Sequence, residues 1–427
     1  MDIRVPYGLD EITARVPDER IAGIIHPNPV ECGDEGETLC AALAHPPDSP
    51  AFSEFLSGGG KTLFIVNDGT RPTPTSKVLD IIEKDIQKAD CEFIIATGAH
   101  RAPTEEEYRF IFGRHLETLR RANRIFVHDA KKTDEMDFIG TSSNGTEMWV
   151  NRRALKAERI VIIGSVEPHY FAGYTGGRKS FLPGLASFKT ITMNHKYALR
   201  PEAKALALEG NPVHEDMIDA LKTLKDKKVF SIQVVLDSKR RIYAATAGDI
   251  ITSMNAAVAA ARRVFVVDIP RKEDIVVTVA PYPMDVDLYQ AQKALDNGKL
   301  ALNDGGIIIL VSKCRVGIGD NAFYKLLSSC DTPQDVMAKI AGEYKLGWHK
   351  AAKMAEIGLW AKMWAVTDLA PDVLQKIFIR PFKDLQIALD AALSAKGPAA
   401  RALFLMDGSL TVPNIKNHPP HQSTKPS

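Results

Sequence analysis

Cysteine is scarce in this chain. Cys32, Cys40, Cys91, Cys314 and Cys330 are all there is in 427 residues, an odd number with no CxxC pair among them. That pattern excludes a disulfide framework and a thiolate zinc ribbon. Net charge is equally thin: 54 Lys plus Arg stand against 53 Asp plus Glu, a formal +1, so no global field favours nucleic acid or an anionic membrane. Long apolar runs are missing, since none approaches the ~18–20 residues of a membrane-spanning helix. The opening residues, from Met1 to Gly8, carry no apolar targeting segment. Internal repeats and heptads are lacking too. A soluble, cytoplasmic protein with reduced thiols is the expectation, with neither nucleic acid nor membrane as a partner.

What is there is ordinary globular material, 45% apolar and 25% charged, in a chain too long for one core. Short apolar runs recur, among them Thr62–Asn67, Glu92–Thr97, Arg124–His128 and Arg159–Gly164. Amphipathic patterns such as Ser76–Ala89 and Glu105–Arg121 separate them. Continuous apolar strands alternating with helices indicate an α/β sheet covered on both faces. Further strands are predicted at Phe230–Asp237, Arg241–Ala245, Arg263–Val267, Asp274–Ala280 and Gly306–Val311, with Leu288–Asn297 and most of Thr332–Met363 helical. The fold expected is therefore two α/β domains with a cofactor and substrate cleft between them. Residues 1–270 form the first, 271–395 the second, 396–413 return to the first through the apolar run Ala402–Met406, and 414–427 are a disordered tail.

The chemically unusual residues lie just after predicted strands, where open α/β sheets bind ligands. Asn67-Asp68-Gly69-Thr70-Arg71-Pro72 offers a guanidinium for a carboxylate or phosphate and an aspartate able to orient an imidazole. The plain alternative is a helix-capping turn. Ala96-Thr97-Gly98-Ala99-His100-Arg101 sets a possible acid or base, His100, on a glycine-containing loop. The densest cluster is Glu167-Pro168-His169-Tyr170-Phe171-Ala172-Gly173-Tyr174-Thr175-Gly176-Gly177-Arg178-Lys179-Ser180, where glycines beside Arg178 and Lys179 suggest an anion cradle. It is not a P-loop: counting from Gly173, the second glycine should fall at residue 178, and Pro183-Gly184 interrupts the helix that should follow. Asn194-His195 follows, without zinc-helix spacing to the other histidines; one histidine completing the sphere of a bound cofactor would need none. In the second domain Tyr289, Gln290 and Lys293 share a helix face, which could present an ammonium and an amide to an anion or simply face solvent.

Taken together, the N-terminal VPYG segment, NDGTRPTP, ATGAHRAPT, EPHYFAGYTGGRKSFLPG, TMNH and LYQAQKAL, in this order over nearly the whole chain, resemble the nickel-pincer-dependent lactate racemase family of 2-hydroxy-acid racemases and epimerases. The resemblance implies a nickel pincer nucleotide, a pyridinium-3-thioamide-5-thiocarboxylic acid mononucleotide, tethered to Lys179 and made by partner cofactor-synthesis enzymes. It implies His195 as the nickel ligand, His100 and His169 as the acid/base pair, and Arg71 and Lys293 on the carboxylate of a small 2-hydroxy acid. Asp68, Tyr289 and Gln290 match supporting polar positions, and Asp68, Thr70, Gly176 and Gly177 are expected to contact the cofactor. Many members begin the first motif with two aspartates, where this chain has Asn67-Asp68. A family tryptophan in the second domain has no assigned match, although Trp348-His349-Lys350 lies near that region, and His349-Lys350 reads either as an exposed helix face or as a sign of a larger or second anionic substrate group. The competing readings are a phosphate-binding NTPase or kinase built on GYTGGRKS and a family member without turnover.

Overall fold

The computed structural model describes residues 1–222, 224 and 226–416. It contains two compact units, one of Pro29–Val264 and one of Met1–Asn28 together with the chain from Phe265 onward.

The Pro29–Val264 unit is built on a six-stranded sheet in the order Ile242–Gly248, Lys228–Leu236, Arg159–Ser165, Thr62–Asn67, Cys91–Ala96, Ile125–Val127. Every neighbouring pair is parallel except the first, which is antiparallel. The run Thr62–Asn67 shows why. Phe64 and Val66 point into one buried cluster, Leu63 and Ile65 into another. With a side-chain period of two, a strand covered on both faces must be apolar at every position. The helix Thr75–Ile86 covers the first face through Val78, Leu79 and Ile82, all within 1% of full burial.

The other unit carries a wholly parallel sheet in the order Ile379–Phe382, Lys362–Val366, Leu302–Val311, Glu273–Val279, Ala402–Leu405, Ile21–Ile25. This corrects the expected domain boundaries. The strand Ala402–Leu405 does not return to the first domain; it lies between Glu273–Val279 and the N-terminal strand Ile21–Ile25. Residues 1–28 likewise belong here and not to a 1–270 domain. Apolar periodicity announces a buried strand but not the sheet it joins, because pairing is decided by partners far away in sequence. The expected tail does not begin at 414 either, for Asn414 and Ile415 pair in the strand Val412–Ile415 with Val266–Ile269; residues 417–427 lie outside the described ones. The stretch Thr332–Met363 is two helices, Pro333–Gly342 and Trp348–Gly358, and its end belongs to the strand Lys362–Val366.

Candidate active site

In the Pro29–Val264 unit the candidate residues sit at the carboxyl ends of three adjacent parallel strands. After Thr62–Asn67 the chain turns at Asp68, whose Oδ1 accepts from the Thr70 backbone N–H at 3.2 Å and the Thr70 hydroxyl at 2.6 Å. Its Oδ2 lies 2.7 Å from His100 Nδ1. Burial raises the Asp68 pKa, yet the His100 bond and charge, the Thr70 hydroxyl and Arg71 together hold it below the ordinary value. An ionised Asp68 makes Nδ1 the protonated nitrogen of His100 and leaves the lone pair on Nε2. Arg71 is part-buried, its backbone N–H tied to Asp68 O at 3.2 Å. The His100 loop is anchored by Glu107, which takes both nitrogens of Arg101 at 2.7 and 2.9 Å and closes a capping box with Thr104.

After Arg159–Ser165 the loop makes a two-residue ladder, Pro168–His169 against Gly173–Tyr174. Gly173 has φ +76°, and a Cβ there would sit 2.1 Å from Ala207 O. His169 is buried, with Nδ1 accepting the Ala172 N–H at 3.3 Å. In the neutral ring the proton then belongs on Nε2. Phe171 holds the site together. Its ring lies 4.6 Å from that of His169 and 5.1 Å from that of His195, and Lys179 Nζ is 5.6 Å from its centroid. His195, on the helix Phe188–Lys196, has its Nδ1 3.1 Å from Asn194 Oδ1. Loss of solvent, then the Lys179 and His100 charges, push its pKa down to about 3, so His195 is a neutral imidazole at working pH.

In the other unit the helix Leu288–Gly298 begins at Asp287, whose side chain accepts the Gln290 N–H at 2.7 Å. Tyr289, Gln290 and Lys293 are all part-buried on this helix. Tyr289 meets Phe323 edge-on at 5.6 Å and carries Lys350 Nζ 3.9 Å above its ring. Lys350 also bonds the Tyr289 carbonyl. Burial raises the Asp287 pKa, opposed by the Gln290 bond and by the Lys350 and Lys293 charges.

Comparison with known proteins follows this geometry. Residues 7–206 match the lactate racemase N-terminal domain and residues 269–412 the lactate racemase C-terminal domain. A lactate racemase from Thermoanaerobacterium thermosaccharolyticum is 33% identical over 422 residues, covering 95% of this chain and 98% of that protein. The chain belongs to the lactate racemase family. A second lactate racemase, from Lactiplantibacillus plantarum, is 30% identical over 421 residues, with 95% and 98% covered. The fold agrees: the lactate racemase apoprotein from Thermoanaerobacterium thermosaccharolyticum superposes with a TM-score of 0.89 at 32% identity, over 97% of this chain and 100% of that one. A Thermotoga maritima protein at 17% identity shares the fold with a TM-score of 0.68, over 90% and 100%.

Set beside the lactate racemase family pattern, the structure gathers His169, Lys179 and His195 around Phe171 and gives His100 a carboxylate behind it. Arg178 is different. It is wholly buried, its guanidinium bonded to Ala172 O at 2.8 Å, Tyr174 O at 3.0 Å, Thr175 O at 3.2 Å and His214 Nδ1 at 2.6 Å. It staples the loop from within and takes no place in an anion cradle. Gly176 and Gly177 are likewise set by packing: at φ +89° a Cβ on Gly176 would strike Val166 Cγ2 at 2.4 Å, and the Gly177 N–H is spent on Gln233 Oε1 at 3.0 Å. The Lys179 N–H bonds Gly176 O, and Gly177–Ser180 is a single 3-10 turn. These amides are not arranged around a phosphate, so nothing supports the NTPase reading.

Sequence reasoning undervalued one group. His349 and Lys350, read as an exposed helix face or an extra anion site, are 3% and 4% exposed, with Tyr344 OH 3.0 Å from His349 Nδ1. Trp348 is buried beside them, with Lys345 Nζ 5.4 Å from its ring. Almost every side chain of Trp348–Gly358 is buried, so no apolar stripe separates these residues from a solvent face. No helix among the described residues is long and apolar enough to cross a membrane. Nor, among the described residues, do three His, Cys, Asp or Glu side chains gather where they could hold a metal. His195 Nδ1 lies within hydrogen-bond distance of Asn194 Oδ1, and with the ring proton on Nδ1 the lone pair would be on Nε2.

Proposed function

We propose that this protein is an isomerase that inverts the α-carbon of a small 2-hydroxy acid, using a nickel pincer nucleotide carried on Lys179. The observation that carries the reading is the Phe171 hub, which joins the proposed tether, the proposed nickel ligand and one proposed acid/base histidine. Soft sulfur donors from such a group together with one imidazole suit nickel, and with Nδ1 toward Asn194, Nε2 of His195 would supply that ligand. When bound, the group would take hydride from the substrate α-carbon and return it, a task no protein side chain performs.

The chain's own residues do the rest. The α-hydrogen beside a carboxylate is a poor acid, so it would leave as hydride while a base takes the hydroxyl proton, which avoids a dianionic carbanion. His100, with Asp68 behind Nδ1, accepts that proton at Nε2. Loss of that proton and of the hydride would leave a 2-keto acid, and inversion would require hydride to come back on its opposite face. His169 serves the second face. Its Nδ1 accepts from the Ala172 amide, so it stands as a donor at Nε2 and must release that bond before acting as a base. Arg71 and Lys293 are the candidate ligands of the substrate carboxylate, with Tyr289 and Gln290 beside Lys293; Thr70, Gly176 and Gly177 are proposed to border the cofactor.

The test uses protein produced together with cofactor-synthesis enzymes. Intact-mass measurement should find an adduct that Lys179→Ala abolishes. A panel of enantiopure 2-hydroxy acids, from lactate and malate to longer and sugar acids, should show at least one inverted. Lack of any adduct in wild-type protein would refute the tether, and an adduct without inversion of any acid would favour a member without turnover.

A further inference from the structure

We infer that Asp216 is a positioning residue that decides which nitrogen of His195 carries the proton, acting through Asn194. The inference rests on the reading of His195 as the nickel ligand for its purpose, though not for its physics.

Asp216 and Asn194 are both fully buried. Asp216 Oδ1 accepts the Ser142 hydroxyl at 2.7 Å, and Oδ2 accepts from the Thr146 hydroxyl and, at 3.3 Å, from Asn194 Nδ2. The Asn194 amide nitrogen also donates to Val213 O at 3.2 Å. A carboxylate and a carbonyl are acceptors only. Turning the Asn194 amide over would set its oxygen against both of them and lose two bonds. The amide is therefore held with Oδ1 toward His195, and an oxygen there can only accept. His195 Nδ1 must donate, as its 3.1 Å separation from Asn194 Oδ1 allows, and the lone pair falls on Nε2. The helix Pro212–Lys222, which carries Asp216, thus sets the donor state of a ring on the helix Phe188–Lys196. Asp216, named by no motif, and Asn194 together control whether His195 can act as a ligand through Nε2.

The measurement is a long-range proton–nitrogen correlation spectrum of full-length, cofactor-free protein labelled with nitrogen-15 histidine, His195 being assigned by its loss in His195→Gln. Wild type should show Nδ1–H and a pyridine-type Nε2. Asp216→Asn, which can donate as well as accept, should release the Asn194 amide and bring the opposite tautomer to at least about a tenth of the population. Thr146→Val leaves the Asp216–Asn194 bond in place and should leave the spectrum of His195 unchanged. In loaded protein, Asp216→Asn should hold nickel about 10–100-fold less tightly against a chelator. A pyridine-type Nδ1 in wild type, or a folded Asp216→Asn with the wild-type tautomer, overturns the inference. If Asp216→Asn does not fold, Asn194→Leu, which removes the acceptor, must release the tautomer, and persistence of Nδ1–H there overturns it. The ligand reading fails separately, if His195→Ala retains nickel on the Lys179 adduct while the tautomer results stand.

Discussion

Replacing Asp68 by Asn keeps the shape of the turn and removes its charge. Asp68 is 6% exposed and uses both oxygens, one for the two Thr70 donors and one for His100 Nδ1 at 2.7 Å. An asparagine oxygen can satisfy only one of those sides. If it faces Thr70, the amide nitrogen faces His100 and forces Nδ1 to accept, which moves the ring proton to Nε2 and disables the base. If it faces His100, two Thr70 donors meet an NH2 group. Either arrangement forfeits one charge-assisted hydrogen bond, worth about 1.5–3 kcal/mol. At ~1.4 kcal/mol per tenfold, kcat should fall roughly 10–150-fold. The assay is chiral chromatography of both reaction directions with loaded protein, at equal Lys179 adduct measured by intact mass. A kcat within threefold of wild type at full loading would refute the claim that Asp68 orients His100.

The acid limb of stability carries a second signature of the same residue. The folded pKa of Asp68 lies below its ordinary value, so its contribution is fully present above roughly pH 4 and is lost as pH falls through the folded value; Asp68→Asn should flatten that part of a stability-against-pH curve, and an unchanged curve would count against the depressed pKa. Arg178→Met leaves three loop carbonyls and His214 without their donor. Relief of a buried charge offsets part of that, and a net loss of about 3–4 kcal/mol should lower Tm by about 6–16 °C, whereas a shift under 2 °C would mean that the loop does not depend on it. Lys350→Met removes an ammonium 3.9 Å from the Tyr289 ring. Such contacts are worth ~1–2 kcal/mol when desolvated, so KM should rise about 5–30-fold with a circular-dichroism spectrum like wild type, and an unchanged KM would assign Lys350 to packing alone.

Much of this was legible in the residues, and the exceptions share a cause. Thr62–Asn67 declared itself as a strand buried on both faces because four apolar residues in succession, Leu63 to Val66, leave no other economical arrangement. The loops after Thr62–Asn67, Cys91–Ala96 and Arg159–Ser165 were readable as candidate sites because polar and glycine-rich residues there interrupt apolar runs. Arg178 looked like a ligand for an anion because a sequence cannot tell a guanidinium turned outward from one that feeds the carbonyls of its own loop. Lys350 and His349 looked exposed for the complementary reason, that charge usually marks solvent. Asp216 carries no local signal at all, since its bonds to Ser142, Thr146 and Asn194 join segments more than twenty residues apart. The sheet membership of Ile21–Ile25 and Ala402–Leu405 depended on pairing across nearly the full chain, which local pattern does not report.

That pairing sets an order of assembly during synthesis. The sheet holding Ile21–Ile25 beside Ala402–Leu405 cannot close until the ribosome has emitted its last-made strand, whereas Pro29–Val264 is a continuous stretch. At ~5–20 residues per second, the early strand waits on the order of a minute for its neighbour. In that interval the inserted unit can finish folding, with the Phe171 hub in place, while the split unit still lacks one of its central strands. A growing chain would thus hold its proposed acid/base histidines and its proposed tether before it could complete the sheet behind Lys293.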